Sequence, residues 1–176
     1  MIIRKALLKD KEAIYKLYQV VAENERGIAR MQDEITEKYI DVIFDSVEKQ
    51  GIMLVGEDEG NQDLIAEIHA TKYGIKIFDH ILTHLTLVVH PNYQGKGFGK
   101  KLFQAFLDEI VNNNPEIRRI ELESRASNQR SLGLYKQLGF VQEGRMKEKT
   151  RNKDGSFEDS LLMAWTNPKN EFSNIN

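Results

Sequence analysis

The chain contains no cysteine. That removes disulfides, thiolate metal sites and a cysteine nucleophile, and it makes a reducing cytoplasm the default expected compartment. No apolar run approaches the ~20 residues that a membrane-spanning helix needs, so no membrane association is expected. Neither sign of charge is in excess. Lys and Arg number 25 against 27 Asp and Glu, a net charge of -2, which offers nucleic acid no global attraction. The opening Met1-Ile2-Ile3-Arg4-Lys5 meets charge too soon for a secretory signal, and none is expected. Internal repeats and linker-like stretches are also missing. What remains is 176 residues, 40% hydrophobic and 30% charged. That length and balance suit one soluble domain with a sizeable core, expected over residues 1–166 and followed by a polar, frayed tail from 167 to 176.

The hydrophobic pattern predicts alternating strands and helices. Met1 to Ala6 reads as a strand, and Lys9-Asp10 opens a helix with Ala13, Ile14, Leu17, Tyr18 and Val21 on one face. Glu23 to Arg30 is a polar loop. A helix from about Asp33 to Lys49 turns Tyr39, Ile40, Ile43, Phe44 and Val47 to the core and is capped by Gly51. Ile52 to Glu57, Leu64 to Tyr73 and Ile81 to His90 read as strands, the last stopped by Pro91-Asn92. A helix from Gly97 to Asn113, a strand from Arg119 to Ser124 and a short helix from Asn128 to Leu138 follow, with Gly139 as its cap. Phe140 to Thr150 and Phe157 to Trp165 form a last hairpin around Asp154-Gly155. The order β-α-α-β-β-β-α-β-α-β-β predicts an α/β (α+β) fold of three layers, with a mixed, twisted seven-stranded sheet and about four helices.

The chemistry concentrates first at Tyr93-Gln94-Gly95-Lys96-Gly97-Phe98-Gly99-Lys100-Lys101, between a strand and a helix start. Such a turn aims backbone N–H groups at one point, where the helix N-terminus adds positive potential; a phosphate-bearing ligand suits it. A flexible connection with solvated lysines would use the same letters. The Walker spacing fails, because no Ser or Thr follows Lys100-Lys101. The dinucleotide fingerprint fails too, because Lys100 stands where its third glycine belongs. What remains is Gln94-x-x-Gly97-x-Gly99.

A second segment, Leu122-Glu123-Ser124-Arg125-Ala126-Ser127-Asn128 with Leu134-Tyr135-Lys136-Gln137-Leu138-Gly139-Phe140, is independent of the first. Ser127 or Asn128 can cap the helix, and Tyr135 shares a face with Leu132 and Leu138, where a core tyrosine would also sit.

Together these segments resemble the GNAT superfamily of acyl-CoA-dependent N-acetyltransferases, and the element order extends the resemblance over most of the chain. The Glu123-to-Tyr135 segment is most similar to the ribosomal-protein alanine N-acetyltransferase branch, including the twelve-residue interval between the two. The resemblance implies that acetyl-CoA (coenzyme A) is the acyl donor, its pyrophosphate wrapped by Gln94, Gly95, Lys96, Gly97, Phe98, Gly99 and Lys100. It implies that Leu87 and Val89 pair with the pantetheine arm like an added strand. It implies that Asn128 contacts the pantetheine or diphosphate region. Glu123 takes the role of general base and Tyr135 that of general acid toward the leaving thiolate. Many members dimerise, so the resemblance admits a homodimer.

These residue types suit the reaction. The attacking amine must be neutral; an α-amine, with a pKa near ~8, needs less help than a lysine amine near ~10.4, and a carboxylate can take the proton directly or through water. The developing oxyanion needs a donor, and a backbone N–H near Val88 or Val89 is available. The thiolate, near ~8.5, is a weak base, so Tyr135 has a useful rather than an essential proton.

Glu67, His69 and His84 compete for roles at the acceptor. Glu67 and His69 share one strand face and either point at the substrate cleft or lie on a solvated sheet face. His80 and His84 lack a third ligand at metal spacing, so no metal is expected. The acceptor itself stays open among amino acid, small amine and protein N-terminus. The ending Glu143-Gly144 … Asp154-Gly155 … Asp159 resembles members that act on amino acids or small amines, whereas the Glu123 segment points to protein N-termini. A non-catalytic acyl-CoA binder or sensor is the alternative function on the same fold.

Overall fold

The computed structural model describes residues 1–24 and 27–170. Its strands are β1 (Ile2–Lys5), β2 (Gly51–Glu57), β3 (Leu64–Lys72), β4 (Ile81–Val89), β5 (Arg119–Arg125), β6 (Val141–Arg151) and β7 (Phe157–Thr166). Its helices are α1 (Lys11–Ala22), α2 (Glu37–Gln50), α3 (Phe98–Asn113) and α4 (Gln129–Gln137). The seven strands form one mixed sheet in the order β1-β2-β3-β4-β5-β7-β6. Pairing is parallel between β4 and β5 and antiparallel between β1 and β2, β2 and β3, β5 and β7, and β6 and β7. No described helix is long and apolar enough to cross a membrane.

Contacts gather into two compact units, Met1–Thr71 with Leu85–Leu107, and Lys72–His84 with the chain from Asp108 onward. In the first unit, α1 buries Ile14, Leu17, Tyr18, Val21 and Ala22, which recur every three or four residues and so share one face. They pack with Ile40 and Ile43 of α2 and with Met53, Val55 and Val88 of the sheet. Ala13, expected on that face, is exposed.

The helix expected from Asp33 starts later. Gln32–Glu34 makes a short 3-10 turn, Ile35 is extended, and Thr36 accepts a hydrogen bond from the Tyr39 N–H at 3.1 Å. Thr36 is the better cap because Ile35 and Ile40, on either side of it, enter the same core and staple the helix entry. Gly51 ends α2 as expected, its N–H donating to the Val47 carbonyl, but without a left-handed turn. It is extended, with φ -142°, and opens β2 directly. A Cβ there would lie 2.8 Å from both the Ala70 carbonyl and the Val47 Cα, so close approach requires the glycine.

In the second unit, β5 alternates cleanly. Ile120, Leu122 and Ser124 are buried, while Glu121, Glu123 and Arg125 take the other face. Gly139, with φ +88°, caps α4 as expected. The β6–β7 turn closes through Asp154, whose Oδ1 accepts from the Ser156 N–H at 2.9 Å. The polar tail departs from expectation at its start. Asn167 is fully buried, its Nδ2 donating to the Ile117 carbonyl at 2.9 Å and its N–H to that of Arg118 at 2.9 Å. Its Oδ1 accepts from the Lys169 N–H at 3.1 Å, so a buried carboxamide with both ends bonded fixes the chain there. Residues 171–176 of the expected tail lie outside the described residues, as do Glu25 and Arg26 of the expected loop.

Candidate active site

In the first unit, β4 hands the chain to α3 through the glycine-rich turn. Val88 is buried; Leu87 and Val89 are partly exposed. The Gln94 side chain donates from Nε2 to the Val89 carbonyl at 3.0 Å, which ties the turn to the strand end. Gly95 and Gly97 have φ of +79° and +82°, and a Cβ on either would meet nothing within 4 Å. The glycines are required by backbone conformation, and the space beside them is open. The first helical hydrogen bond of α3 runs from the Lys101 N–H to the Gly97 carbonyl at 3.0 Å, so the Phe98 and Gly99 amides precede the helix's own ladder. Open space, two left-handed glycines and first-turn amides fit a diphosphate.

The flanking lysines are not equivalent. Lys96 holds its ammonium 5.2 Å from the Tyr93 ring. Lys101 sits within the field of Glu59, which also binds the Met1 ammonium at 2.8 Å. Tyr93 anchors the turn: its phenol is pushed up by its hydrogen bond to Asp58.

The same unit corrects the reading of Glu67 and His69. They do share a face of β3, but neither is solvated. Glu67 is fully buried and His69 nearly so. The Tyr18 hydroxyl donates to Glu67 Oε2 at 2.7 Å, and His69 Nδ1 lies 2.9 Å from Glu67 Oε1. Burial first, and then the Glu67 charge, push the Tyr18 phenol well above its ordinary value, so Tyr18 remains a neutral donor. Sequence reasoning took Tyr18 for a core position of α1 and missed its hydroxyl partner. Nearby, the Arg30 guanidinium stacks over the Tyr39 ring at 4.7 Å and pairs with Glu34 at 3.6 Å.

The second unit carries the other segment. Glu123 is exposed on β5, opposite Leu162 of β7. Asn128, rather than Ser127, caps α4, its Oδ1 accepting from the Ser131 N–H at 3.2 Å. Tyr135 is half-buried, its ring 6.0 Å from that of Phe140. Burial pushes its phenol up, partly offset by a hydrogen bond with Ser131. A phenol in that state keeps its proton at neutral pH and can donate it.

His84 falls in this unit, separate from Glu67 and His69. It is exposed, with φ 52° inside β4, and its ring lies 6.2 Å from Tyr73. A non-glycine residue in that region of backbone space marks a local irregularity of the strand. Among the described residues, no group of three His, Asp or Glu is placed to hold a metal.

The C-terminal letters have structural partners. Glu143 forms a two-pronged pair with the Arg119 guanidinium, one prong at 3.0 Å, and Arg119 Nε also reaches Glu121 at 2.6 Å. Asp159 accepts from the Glu148 N–H at 2.9 Å, where β6 bulges and Glu148 takes φ 49°, and it pairs with Arg145.

The acetyltransferase (GNAT) family matches residues 11–140 of the chain, well over half of it. The chain belongs to the GNAT family. Among its relatives is the L-amino acid N-acyltransferase MnaT of Escherichia coli, 41% identical over 36% of this chain and 36% of that protein. The spermidine N(1)-acetyltransferase of Vibrio cholerae is 27% identical over 66% of this chain and 62% of its own length. The ribosomal protein bS18-alanine N-acetyltransferase of Escherichia coli is 33% identical over 47% of this chain and 53% of its own. The stretches this chain shares with these relatives span between about a third and three-fifths of the relatives' own length. The fold is shared at full length. The ribosomal-protein-S18-alanine N-acetyltransferase structure from Escherichia coli superposes with TM-score 0.76 at 22% identity, covering 99% of both chains. The phosphinothricin acetyltransferase of Sinorhizobium meliloti, solved in complex with AcCoA, gives 0.82 at 20% identity, covering 94% of this chain and 87% of that one.

Proposed function

We propose that this GNAT protein is an acetyl-CoA-dependent N-acetyltransferase that acts on a primary amine by direct attack in a ternary complex. The observation that carries the reading is the turn from Gln94 to Lys100, with its tether to Val89, its two left-handed glycines and the open space beside them. Gln94, Gly95, Lys96, Gly97, Phe98, Gly99 and Lys100 would hold the diphosphate of coenzyme A, with Asn128 as a further contact. Leu87 and Val89 would align the pantetheine arm, and a backbone N–H near Val88 or Val89 would donate to the carbonyl oxygen as it gains charge. Acetyl-CoA supplies an activated acetyl thioester. Glu123, exposed on β5, takes a proton from the incoming ammonium, directly or through water. Tyr135, protonated at neutral pH, donates to the departing sulfur.

The acceptor class is a primary amine: the relatives are named for L-amino acids, spermidine and an alanine of ribosomal protein bS18. The ending that resembled amino-acid acetyltransferases carries little weight for the choice, because Glu143 and Asp159 are engaged in holding β6. The test is mass spectrometry of amino acids, polyamines and N-terminal peptides after incubation with the protein and acetyl-CoA. An acetylated amine is expected. Thermal stabilisation by acetyl-CoA with no product from any amine would make the protein a binder instead. No stabilisation at all would defeat the reading.

A further inference from the structure

Tyr18, Glu67 and His69 form a buried hydrogen-bonded cluster that the roles above leave unused. An aliphatic residue would serve the core of β3 at lower cost, since its neighbours are Ile65, Ala66, Ile68 and Ala70, all buried. A carboxylate that is fully buried needs donors. Glu67 receives one from the Tyr18 hydroxyl at 2.7 Å on Oε2 and one from His69 Nδ1 at 2.9 Å on Oε1. With Tyr18 donating and Glu67 accepting, the proton of the neutral imidazole sits on Nδ1, and the lone pair is on Nε2. The cluster has one outlet. The side chain of His69 keeps 6% of its surface exposed, while Glu67 and Tyr18 keep none.

His69 itself lies beside β4, the next strand of the sheet. The connection from residue 73 to 80 is shorter than the roughly dozen residues a parallel crossover needs, so β3 and β4 run antiparallel. The His90 N–H donates to the Ile65 carbonyl at 2.8 Å, which sets these two residues opposite each other. Continuing that register places Glu67 beside Val88 and His69 beside Thr86. Val88 indeed shares the core cluster of Tyr18, Met53 and Val55, on the same sheet face. Neighbouring strands are about 4.8 Å apart. The imidazole is therefore one strand away from the segment proposed to align the acyl donor.

We propose that His69 is a proton acceptor for the incoming ammonium, held in its acceptor tautomer by Glu67 and Tyr18 as positioning residues. This rests on the acetyl-transfer reading and adds a second base to it. His69 Nε2 takes one ammonium proton and Glu67 stabilises the resulting imidazolium. The freed nitrogen lone pair forms the C–N bond as the C–S bond breaks. Glu123 takes the second nitrogen proton, directly or through water, and passes it to Tyr135, which has protonated the sulfur; His69 returns its own to solvent, so one proton is released per turnover. The charged and titratable groups around the imidazole are few. Glu67 is on its own strand, Tyr18 on α1, and Tyr39 on α2 feels the Glu67 charge, with Arg30 and Glu34 acting on Tyr39. The β2 residues opposite Glu67 and His69 are Val55 and Met53, which carry no charge.

The experiment is the pH dependence of kcat/KM for the wild type, His69→Gln and Glu67→Gln, each first shown to be stabilised by acetyl-CoA. His69→Gln should lower kcat about 100-fold and abolish the wild-type acid limb, with KM for acetyl-CoA retained. Glu67→Gln should lower kcat with KM for acetyl-CoA retained, because the imidazole loses the acceptor that fixes its tautomer. Wild-type rate and limb in a folded His69→Gln protein would overturn the proposal. Should the variants fail to fold, the wild type decides through NMR of ¹³C-labelled histidine. The signals of His80, His84 and His90 are assigned by substitution at those three positions. Addition of the acceptor amine should then shift the fourth signal, and an unmoved signal would overturn the proposal. Absence of acetyl transfer by the wild type would instead defeat the broader reading.

Discussion

Glu67 and Glu123 are two glutamates in different units of the chain, and they live under opposite conditions. Glu67 is sealed beneath α1 with a donor on each oxygen; Glu123 stands in solvent at the end of an alternating strand. The motif draws attention to Glu123, whereas burial draws it to Glu67. The contrast teaches that a carboxylate's context sets what it can do. An exposed one can take a proton from an amine or a water. A buried one with filled lone pairs can only orient and stabilise a partner.

Stability should separate the two most sharply. Glu67→Ala should cost about 3–5 kcal/mol, because it strands the Tyr18 hydroxyl and the His69 Nδ1–H in the core. Glu123→Ala should stay within about 0.5 kcal/mol. Urea denaturation of both variants checks this, and equal losses would break the comparison. Activity should invert the order for a gentle change. Glu123→Gln should lower turnover about 100-fold, equivalent to about 2.7 kcal/mol, with the melting temperature unchanged. The loss should shrink as pH rises and the amine deprotonates unaided; a flat effect across pH would remove Glu123 from the base role.

The two tyrosines repeat the contrast at smaller scale. Tyr18→Phe should destabilise by about 1–2 kcal/mol, since the buried Glu67 loses a donor. Tyr135→Phe should leave stability and acetyl-CoA binding nearly intact while slowing turnover, as steady-state kinetics will show. The smallest effect concerns a third carboxylate. Hydrogen bonds from Arg4, aided by the Leu7 N–H, hold Asp10 below the ordinary aspartate range despite its burial. Its contribution is full above the unfolded value near ~3.9 and is lost as pH falls through the lower folded value. Stability measured from about pH 6 to about pH 3 should decline, and Asp10→Asn should flatten that decline.

Much of the fold was legible because periodicity marks which face of an element is apolar. Ile14, Leu17, Tyr18 and Val21 are buried as the spacing predicts, and the order of strands and helices stands. Periodicity does not say what lies across the interface. It could not show that Tyr18 would find Glu67, nor that Asn167 would reach back to Ile117. Local chemistry was misjudged where tertiary contact decides. Gly51 ends α2 in an extended rather than a left-handed conformation, where it also allows the close approach of Ala70 and Val47, and Ile35 leaves the helix to reach the core. The glycine turn was the most legible feature of the candidate site, because glycine takes the positive φ of Gly95 and Gly97 without the strain another residue would meet.

The most direct test of the whole account is continuous detection of free thiol from acetyl-CoA, with and without added primary amine. The account predicts thiol release that depends on the amine, saturates in both substrates and falls about 100-fold in Glu123→Gln. Thiol release that is independent of every amine tested, or unchanged in Glu123→Gln, would contradict it.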